Sequence, residues 1–532
     1  MKKIITLAVV AICFLGGTAL NAQTLYDANR LMGSDLNGTA RFVGMGGAMG
    51  ALGGDISTIG TNPAGIGIYR SNDVMLSFGL VNAGSKSILD NTTMEINKFN
   101  GSFDNIGFVL SNKVGDLTPL KCVNIGFNYR NLKSFNKNMS MKGNIIVSQT
   151  QQFASMVNNN SVDYGEFLTP DRLMDKNAFS FNDVPWLGAM AYEANLITLD
   201  ENEQQYLPYL LDDNVVFSEY SSRERGGVDS YDMNVALNFY DRFYLGATLG
   251  AYSVDYTRRT SYSETFYVKD MFKDGNDGNY TLYNNYALEG SGIDFKLGFI
   301  VRPIEASSLR IGAAIHTPTW YQLKENQFAK LDYKTYVNVS EPPITGATFP
   351  QFANGNRMEG ETEYRITTPW TYNLSLGYTI GSNIAMGAEY EYSDHSSGTL
   401  WYADGMKMED ETDAIREGLK GVHTIRAGVE FKVAPEFSFR LGYNQITASV
   451  YDDTFKGLPI NTIRTDTEFS NGKTANNYTL GFGYRGKSLY ADMAYLYNTY
   501  RENFYAFDNI NLPATKVTNN NHKVVFTLGL RF

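Results

Sequence analysis

His522-Lys523-Val524-Val525-Phe526-Thr527-Leu528-Gly529-Leu530-Arg531-Phe532, the last eleven residues, set the reading of the whole chain. Counting back from Phe532, the residues Leu530, Leu528, Phe526 and Val524 share its face. Arg531, Gly529, Thr527 and Lys523 occupy the other face, with Val525 the single apolar exception. Successive side chains of a strand point to opposite sides, so this is a strand with one apolar side and one polar or small side. The pattern recurs upstream. Tyr231, Met233, Val235, Leu237 and Phe239 alternate with Asp232, Asn234, Ala236 and Asn238. Ile293 to Phe299, Ile425 to Phe431 and Tyr478 to Tyr484 repeat it. Segments of about ten residues with this period are the length of a membrane-crossing strand.

The spacing predicts strands at roughly 73–82, 104–112, 121–131, 230–240, 242–257, 290–302, 307–317, 369–380, 383–393, 422–433, 435–445, 475–486, 488–500 and 522–532. Fourteen is an even number, and the links alternate in length. Those after even-numbered strands are short, such as Asp241, Gly381-Ser382, Ala434 and Lys487. Those after odd-numbered strands are long, the largest running from about Leu132 to Asp229. A soluble sandwich has no reason to gather its long loops at one end. A membrane barrel does, with turns at one rim and extracellular loops at the other. The expected fold class is therefore all-β: a fourteen-stranded antiparallel transmembrane β-barrel. Its last strand must pair with its first, because unpaired backbone in lipid is too costly.

Composition agrees. The chain has 36 Tyr, 32 Phe and 50 Gly against 14 Pro and 4 Trp, a mixture that suits twisted strands with aromatic girdles. No apolar run of 18 residues argues for a membrane helix. The net charge of −11 argues against nucleic acid as a partner. Residues 1–22 read as an export signal: Met1-Lys2-Lys3, then an apolar stretch from Ile4 to Leu15, then small residues, with cleavage expected after Ala22. Lipoprotein processing at Cys13 is disfavoured because Val10-Ala11-Ile12 places no small residue before it. Cleavage would leave Cys122 alone, so no intramolecular disulfide is expected.

Residues 23–72 do not alternate. Arg41-Phe42-Val43-Gly44-Met45-Gly46-Gly47-Ala48-Met49-Gly50-Ala51-Leu52-Gly53-Gly54-Asp55 is dense in glycine, and Asn62-Pro63-Ala64-Gly65 follows. A nucleotide loop fails here, since Met49 stands where a third glycine belongs and no strand–helix context surrounds it. Small residues would instead let a compact segment pack against the inner wall of a barrel. Gly46-Gly47-Ala48, Ala51, Asp55 and Asn62-Pro63-Ala64-Gly65 ahead of the first strand resemble the N-terminal hatch of the FadL/TodX family of outer-membrane hydrophobic-compound transporters. Thr368-Pro369-Trp370 and Glu389-Tyr390-Glu391-Tyr392 are also similar to that family. The resemblance implies a domain plan of signal peptide 1–22, hatch 23–72 and barrel 73–532. It further implies passive uptake of apolar molecules such as fatty acids across a Gram-negative outer membrane. Gating would fall to the hatch motif Gly46, Gly47, Asp55, Asn62, Pro63, Ala64 and Gly65, and release would often pass through a lateral gap in the wall.

The long loops depart from the family. Phe179 to Leu187, with Trp186, and Trp320-Tyr321 are candidate ligand contacts at an apolar mouth, the competing reading being loop-on-loop packing. No catalytic residue, metal site or cofactor is expected. His316, His395, His423 and His522 lie in no hydrolase or zinc motif, and Asp274-Gly275-Asn276-Asp277-Gly278-Asn279 lacks the glycine and glutamate of a calcium loop. The expected partners are a hydrophobic small molecule and outer-membrane lipid. The alternative function is a barrel subunit of a larger outer-membrane secretion or assembly complex, with protein partners on its loops. A third is a hemin receptor, in which His395 would act with Tyr390 and Tyr392.

Overall fold

Phe243 to Tyr267 show why the chain builds a barrel longer than a membrane is thick. All 25 residues form one strand, and buried and exposed positions alternate along nearly all of it. The computed structural model describes residues 23–115, 117–164, 167–210, 215–267, 278–337, 341–458 and 462–532. The export signal at 1–22 and the acidic turn at 274–277 lie outside the described residues.

Fourteen strands form the wall. They are β1 (Asp73–Leu89), β2 (Thr92–Lys113), β3 (Leu120–Ser134, extended by Lys137–Ile145), β4 (Val215–Phe239), β5 (Phe243–Tyr267) and β6 (Asn279–Val301). Next come β7 (Arg310–His316 and Trp320–Thr335), β8 (Gly360–Thr367 and Thr371–Ile380) and β9 (Ile384–Asp394 and Thr399–Tyr402). The rest are β10 (Gly421–Lys432), β11 (Phe437–Ile446), β12 (Phe469–Gly472 and Ala475–Arg485), β13 (Leu489–Tyr505) and β14 (Thr515–Arg531). Each pairs antiparallel with its neighbours in sequence. β14 returns to β1 in unbroken register from Asp73↔Arg531 to Ile88↔Lys516, which closes the ring and leaves no edge in lipid.

The barrel is inside-out. Leu245, Leu249, Ile293, Phe295, Leu297, Phe299, Leu374, Leu376, Phe482, Leu528 and Leu530 are exposed, while Asn124, Asn128, Asp232, Asn234, Thr248, Lys296, Asn373 and Thr479 are buried. Only lipid as the outer solvent makes that arrangement favourable. Several strands run well past the expected ends. Residues expected as loop, at 83–103, 258–267 and 279–289, form strand extensions instead, the first pair closed by Asp90-Asn91 with φ 42° and 61°. A two-residue turn with both φ positive matches the twist of the flanking strands.

Above the membrane band these extensions carry a cap. Helices α1 (Leu25–Leu31), α2 (Ala40–Gly44), α3 (Gln149–Tyr164), α4 (Trp186–Glu193) and α5 (Glu409–Gly418) are the described helices that matter here. α3 and α4 share one apolar core with inward side chains of the extensions, including Phe153, Trp186, Leu187, Met190, Phe266, Leu331 and Phe507.

The N-terminal segment fills the lumen from end to end. Near the cap, α1 packs with Val254, Tyr256 and Leu288. Further down, α2 packs on β12, β13 and β14. Val525, the apolar exception on the inward face, is fully buried in one cluster with Phe42, Val43 and Met45. Its odd chemistry is the footprint of the plug. Ile56, Ile59 and Ile66 fill the short-turn end against Met75, Val109 and Ala236.

Candidate functional site

Besides the apolar clusters around Phe42 and Ile56, the plug touches the wall through many polar groups, because the lumen face of a lipid-embedded strand is polar. Each contact joins two residues that lie far apart in sequence.

At the short-turn end, Asn62 caps the turn beginning at Pro63, its Oδ1 accepting from Ala64 N–H at 3.1 Å. Its Nδ2 donates to the Phe299 carbonyl at 3.1 Å, and Asn234 Nδ2 donates to Pro63 O at 3.3 Å. The wall admits this turn only because it lacks side chains there. A methyl on Gly298 would overlap Asn62, and one on Gly246 would overlap Pro63. Asp55 works within the plug: it accepts from Thr39 Oγ1 at 2.7 Å and from Ser57 N–H at 3.0 Å. Arg70 pairs with Asp241 in the turn between β4 and β5 where the plug leaves the barrel.

At mid-height Arg41 forms a two-pronged pair with Glu430, both contacts 3.0 Å. Arg440, 1% exposed, links Glu430 at 2.5 Å to Asp492 at 2.6 Å. Glu389 accepts from Gly50 N–H at 2.9 Å and from Arg426 at 2.6 Å, and Arg426 also reaches Glu391 at 3.1 Å. Gly46 has φ 62°, and a side chain there would meet the Tyr443 backbone at 2.7 Å, so both its conformation and its closeness to β11 require glycine. Gly47, φ 80°, lies against Leu36 and Arg426. The expected motif thus sits at the plug–wall contact. Its charged partners Arg41, Glu389, Arg426, Glu430, Arg440 and Asp492 were missed, because nothing in local sequence marks which inward charges meet a plug.

Near the cap a buried strap from the β11–β12 connection reaches into the lumen. Residues 462–468 are irregular yet fully buried, and donors from distant parts of the chain take up backbone carbonyls there. Asn284 donates to Thr465 O at 3.3 Å, and Trp186 N–H donates to Thr462 O at 3.2 Å. Arg464, fully buried, holds Asp27 of α1 at 3.1 Å, Asp466 at 2.6 Å and Glu325 at 3.6 Å. Lys456 and Arg258 complete the group on Asp466. In the cap, Glu264 accepts from Ser148 Oγ at 2.6 Å and Gln149 N–H at 2.8 Å at the start of α3, and burial pushes its carboxyl up to about 7.

Three neighbouring strands are interrupted at one level, where the outer apolar band ends. β7 breaks at Thr317-Pro318-Thr319, β8 at Thr368-Pro369-Trp370 and β9 at the turn His395–Ser397. Two prolines remove two ladder donors. The gap is stitched by Thr319 N–H to Thr368 Oγ1 at 2.8 Å and Thr368 N–H to Thr319 O at 3.1 Å. Behind it lies a polar cavity of about 110 Å³ between Met32–Ser34 of the plug and Arg130, Lys296, His316 and Tyr321 of the wall.

The expected ligand residues do not converge. Trp186 is 2% exposed in the cap core, its Nε1 donating to Phe179 O at 3.0 Å. Trp320 points outward at the rim of the apolar band and is 48% exposed, which removes it from an inner mouth. Tyr321 points inward onto Tyr252, with ring centroids 5.9 Å apart. The hemin expectation also fails on geometry. Tyr390 hydroxyl meets His423 Nδ1 at 2.8 Å on the exposed outer face, whereas His395 is buried inward against Asn29 at 3.2 Å. Those side chains lie on opposite sides of the wall and cannot ligate one iron.

The backbone is similar to the crystal structure of a FadL homologue of Pseudomonas aeruginosa, with a TM-score of 0.50 and 12% identity, covering 94% of this chain and 99% of that one. That likeness shows the fold. The toluene transporter TodX of Pseudomonas putida is also similar, with a TM-score of 0.44 and 12% identity over 93% of this chain and 98% of that one. So is the toluene transporter TbuX of Ralstonia pickettii, at 0.43 and 13% over 93% and 99%. No protein-family model matches the sequence, and no curated protein does.

Proposed function

We propose that this chain carries hydrophobic small molecules such as fatty acids passively across a Gram-negative outer membrane, with residues 23–72 as a movable hatch. The observation that carries the reading is the coincidence of three features at one level: a plug held by polar contacts, a wall broken across β7, β8 and β9, and a cavity between them. Its barrel shares the fold of a FadL homologue. Polar contacts can be exchanged for water as a plug shifts, whereas a tightly packed apolar plug would forfeit its burial energy. The paired prolines weaken the ladder where an apolar solute could leave sideways into lipid without being rewetted. Asn62, Pro63 and Ala64 form the lower bearing of the hatch, and Gly46, Gly47 and Asp55 keep its middle compact.

Deleting residues 23–60 tests this directly. Liposomes holding the shortened barrel should leak apolar solutes faster than those holding the full chain, and unchanged flux would reject the gate.

One observation favours a second reading, a structural subunit of a larger outer-membrane complex. The cavity behind the broken wall is polar and about 110 Å³, smaller than the usual pocket of about 300–1,000 Å³ for a small organic ligand. Native purification in mild detergent, followed by mass spectrometry, separates the two. A stoichiometric apolar molecule supports transport, and a fixed set of partner proteins around an empty barrel supports the subunit.

A further inference from the structure

A second, larger cavity of about 400 Å³ opens in the cap, where three separate parts of the chain meet. The tip of the plug contributes Gln23 and Leu25, α5 contributes Glu411 and Ala414, and the β11–β12 connection contributes Phe455 and Leu458. Its walls are mostly apolar, but they hold one carboxylate without a counter-ion and one acceptor without a donor. Glu411 is 8% exposed, and among the described residues no cation and no other side chain meets its carboxylate. Gln23, 1% exposed, has an Oε1 without a partner while its Nε2 donates to Glu325 at 3.1 Å. The Glu411 carboxylate accepts from its own backbone N–H but has no counter-ion, which is costly for a buried charge, and burial pushes the carboxyl up from its ordinary value. Further charge on the rim is acidic, from Asp410, Glu417 and Asp453, while the nearby Lys456 is committed to Asp466 at 3.0 Å.

We propose that this cavity binds an apolar molecule with an ammonium head, the head donating to Glu411 and the body lying over Leu25, Ala414, Phe455 and Leu458. A carboxylate-headed molecule would meet Glu411 and the acidic rim at the same place, the lining Lys456 being already paired with Asp466. The inference rests on the chain's being a carrier of apolar molecules and names the class it selects. Because Leu25 belongs to the plug and Leu458 to the β11–β12 connection, an occupant touches both of the segments that the Arg464–Asp27 pair joins.

The test is titration calorimetry of the purified full-length barrel at pH 7 with octylamine, octanol and octanoate. Octylamine is expected to bind at least about tenfold more tightly than octanoate, as the loss of one charge-assisted hydrogen bond implies. Glu411→Gln should erase that preference, and Ala414→Leu, which fills the cavity, should weaken octylamine and octanol alike. Both variants must keep the wild-type heat-dependent gel migration of a folded barrel. Equal or tighter binding of octanoate, or a preference that survives Glu411→Gln, overturns the ammonium site. An octylamine indifference caused by the chain's own N-terminal ammonium occupying Glu411 would overturn it too. Failure of the amine beside intact octanoate binding leaves the carrier reading standing, whereas a barrel that binds and passes none of the three defeats both.

Discussion

The lower and upper halves of β5 keep the same phase but exchange chemistry. Below, the outward side chains are Phe243, Leu245, Ala247, Leu249 and Ala251, and the inward ones are Tyr244, Gly246, Thr248 and Gly250. Above, Ser253, Asp255, Thr257, Arg259, Ser261, Ser263 and Thr265 face out, while Tyr252, Val254, Tyr256, Tyr262 and Phe266 face in, with Arg258, Thr260 and Glu264 among them. One backbone serves two solvents. In the lower half lipid rewards apolar groups outside, so the plug inside must be gripped by hydrogen bonds and ion pairs. In the upper half water lies outside, so apolar groups turn inward and the cap has a core like that of a soluble domain. The plug passes from one regime to the other and carries both kinds of contact in each: Arg41–Glu430 beside the Phe42–Val525 cluster below, and Asp27–Arg464 beside α1 against Val254 and Leu288 above.

The sharpest way to break this comparison is to remove a buried cation from the polar half. Arg440→Met leaves Asp492 without its partner and Glu430 with only Arg41, and should cost about 3–5 kcal/mol. Greater protease sensitivity of the plug and noisier single-channel currents should report it. An unchanged plug would mean that the mid-height pairs do not hold it. Next in size is a charge placed on the outward face. Leu245→Arg should cost about 2–4 kcal/mol in lipid bilayers, while Thr257→Arg, twelve positions further along the same face, should change stability by less than about 0.5 kcal/mol. Equal costs would dissolve the boundary between the halves. Smaller again is the fit of the lower bearing. Gly298→Ala drives a methyl into Asn62 and should cost about 1–3 kcal/mol, whereas Gly101→Ala, with nothing within 4 Å, should be silent in the same unfolding titration.

The most local effect expected is one of pH, confined to the cap. Glu264 has its carboxyl raised from 4.5 to about 7 by burial, so between those values the folded cap holds a proton that the unfolded chain has released. Cap stability should therefore fall as pH rises across that window and level off above it. Hydrogen exchange at α3 should show faster opening at pH 8 than at pH 5 after correction for intrinsic rates. Glu264→Gln should flatten the difference. A pH dependence that survives the substitution would assign it to another group.

The lower half was legible in the sequence because one rule governs it. Period-two alternation with a single apolar face located fourteen strands, their parity and their closure. The upper half carries the same period with the faces reversed, so its polar outward residues past 257, such as Arg259 and Ser261, read as loop. The strap at 462–468 has no period to read, since its burial depends on partners such as Asn284 and Asp27 that lie far away in sequence. Asn62-Pro63 and the glycines announced a plug, yet Arg440 and Glu389 did not announce themselves as its holders. An inward charge looks alike whether it faces water or a buried backbone N–H. Val525 was the one visible clue, a lone apolar residue on a polar face.

The plug's first described residue, Gln23, meets Glu325 at the cap, and Arg70 leaves at the opposite rim beside Asp241. The segment between them runs the whole length of a closed ring as an axle runs through a hub, with a broad cap at one end. A chain in that state cannot be built by closing an empty cylinder and dropping the N-terminus in from the capped side. Either the segment enters from the open rim before the cap folds, or the wall is wrapped around it. The seam of β14 on β1 begins at Asn72 and Phe532, where the axle emerges. Assembly order is thereby constrained by the topology: residues 23–72 must find their place before the cap closes over the far end of the ring.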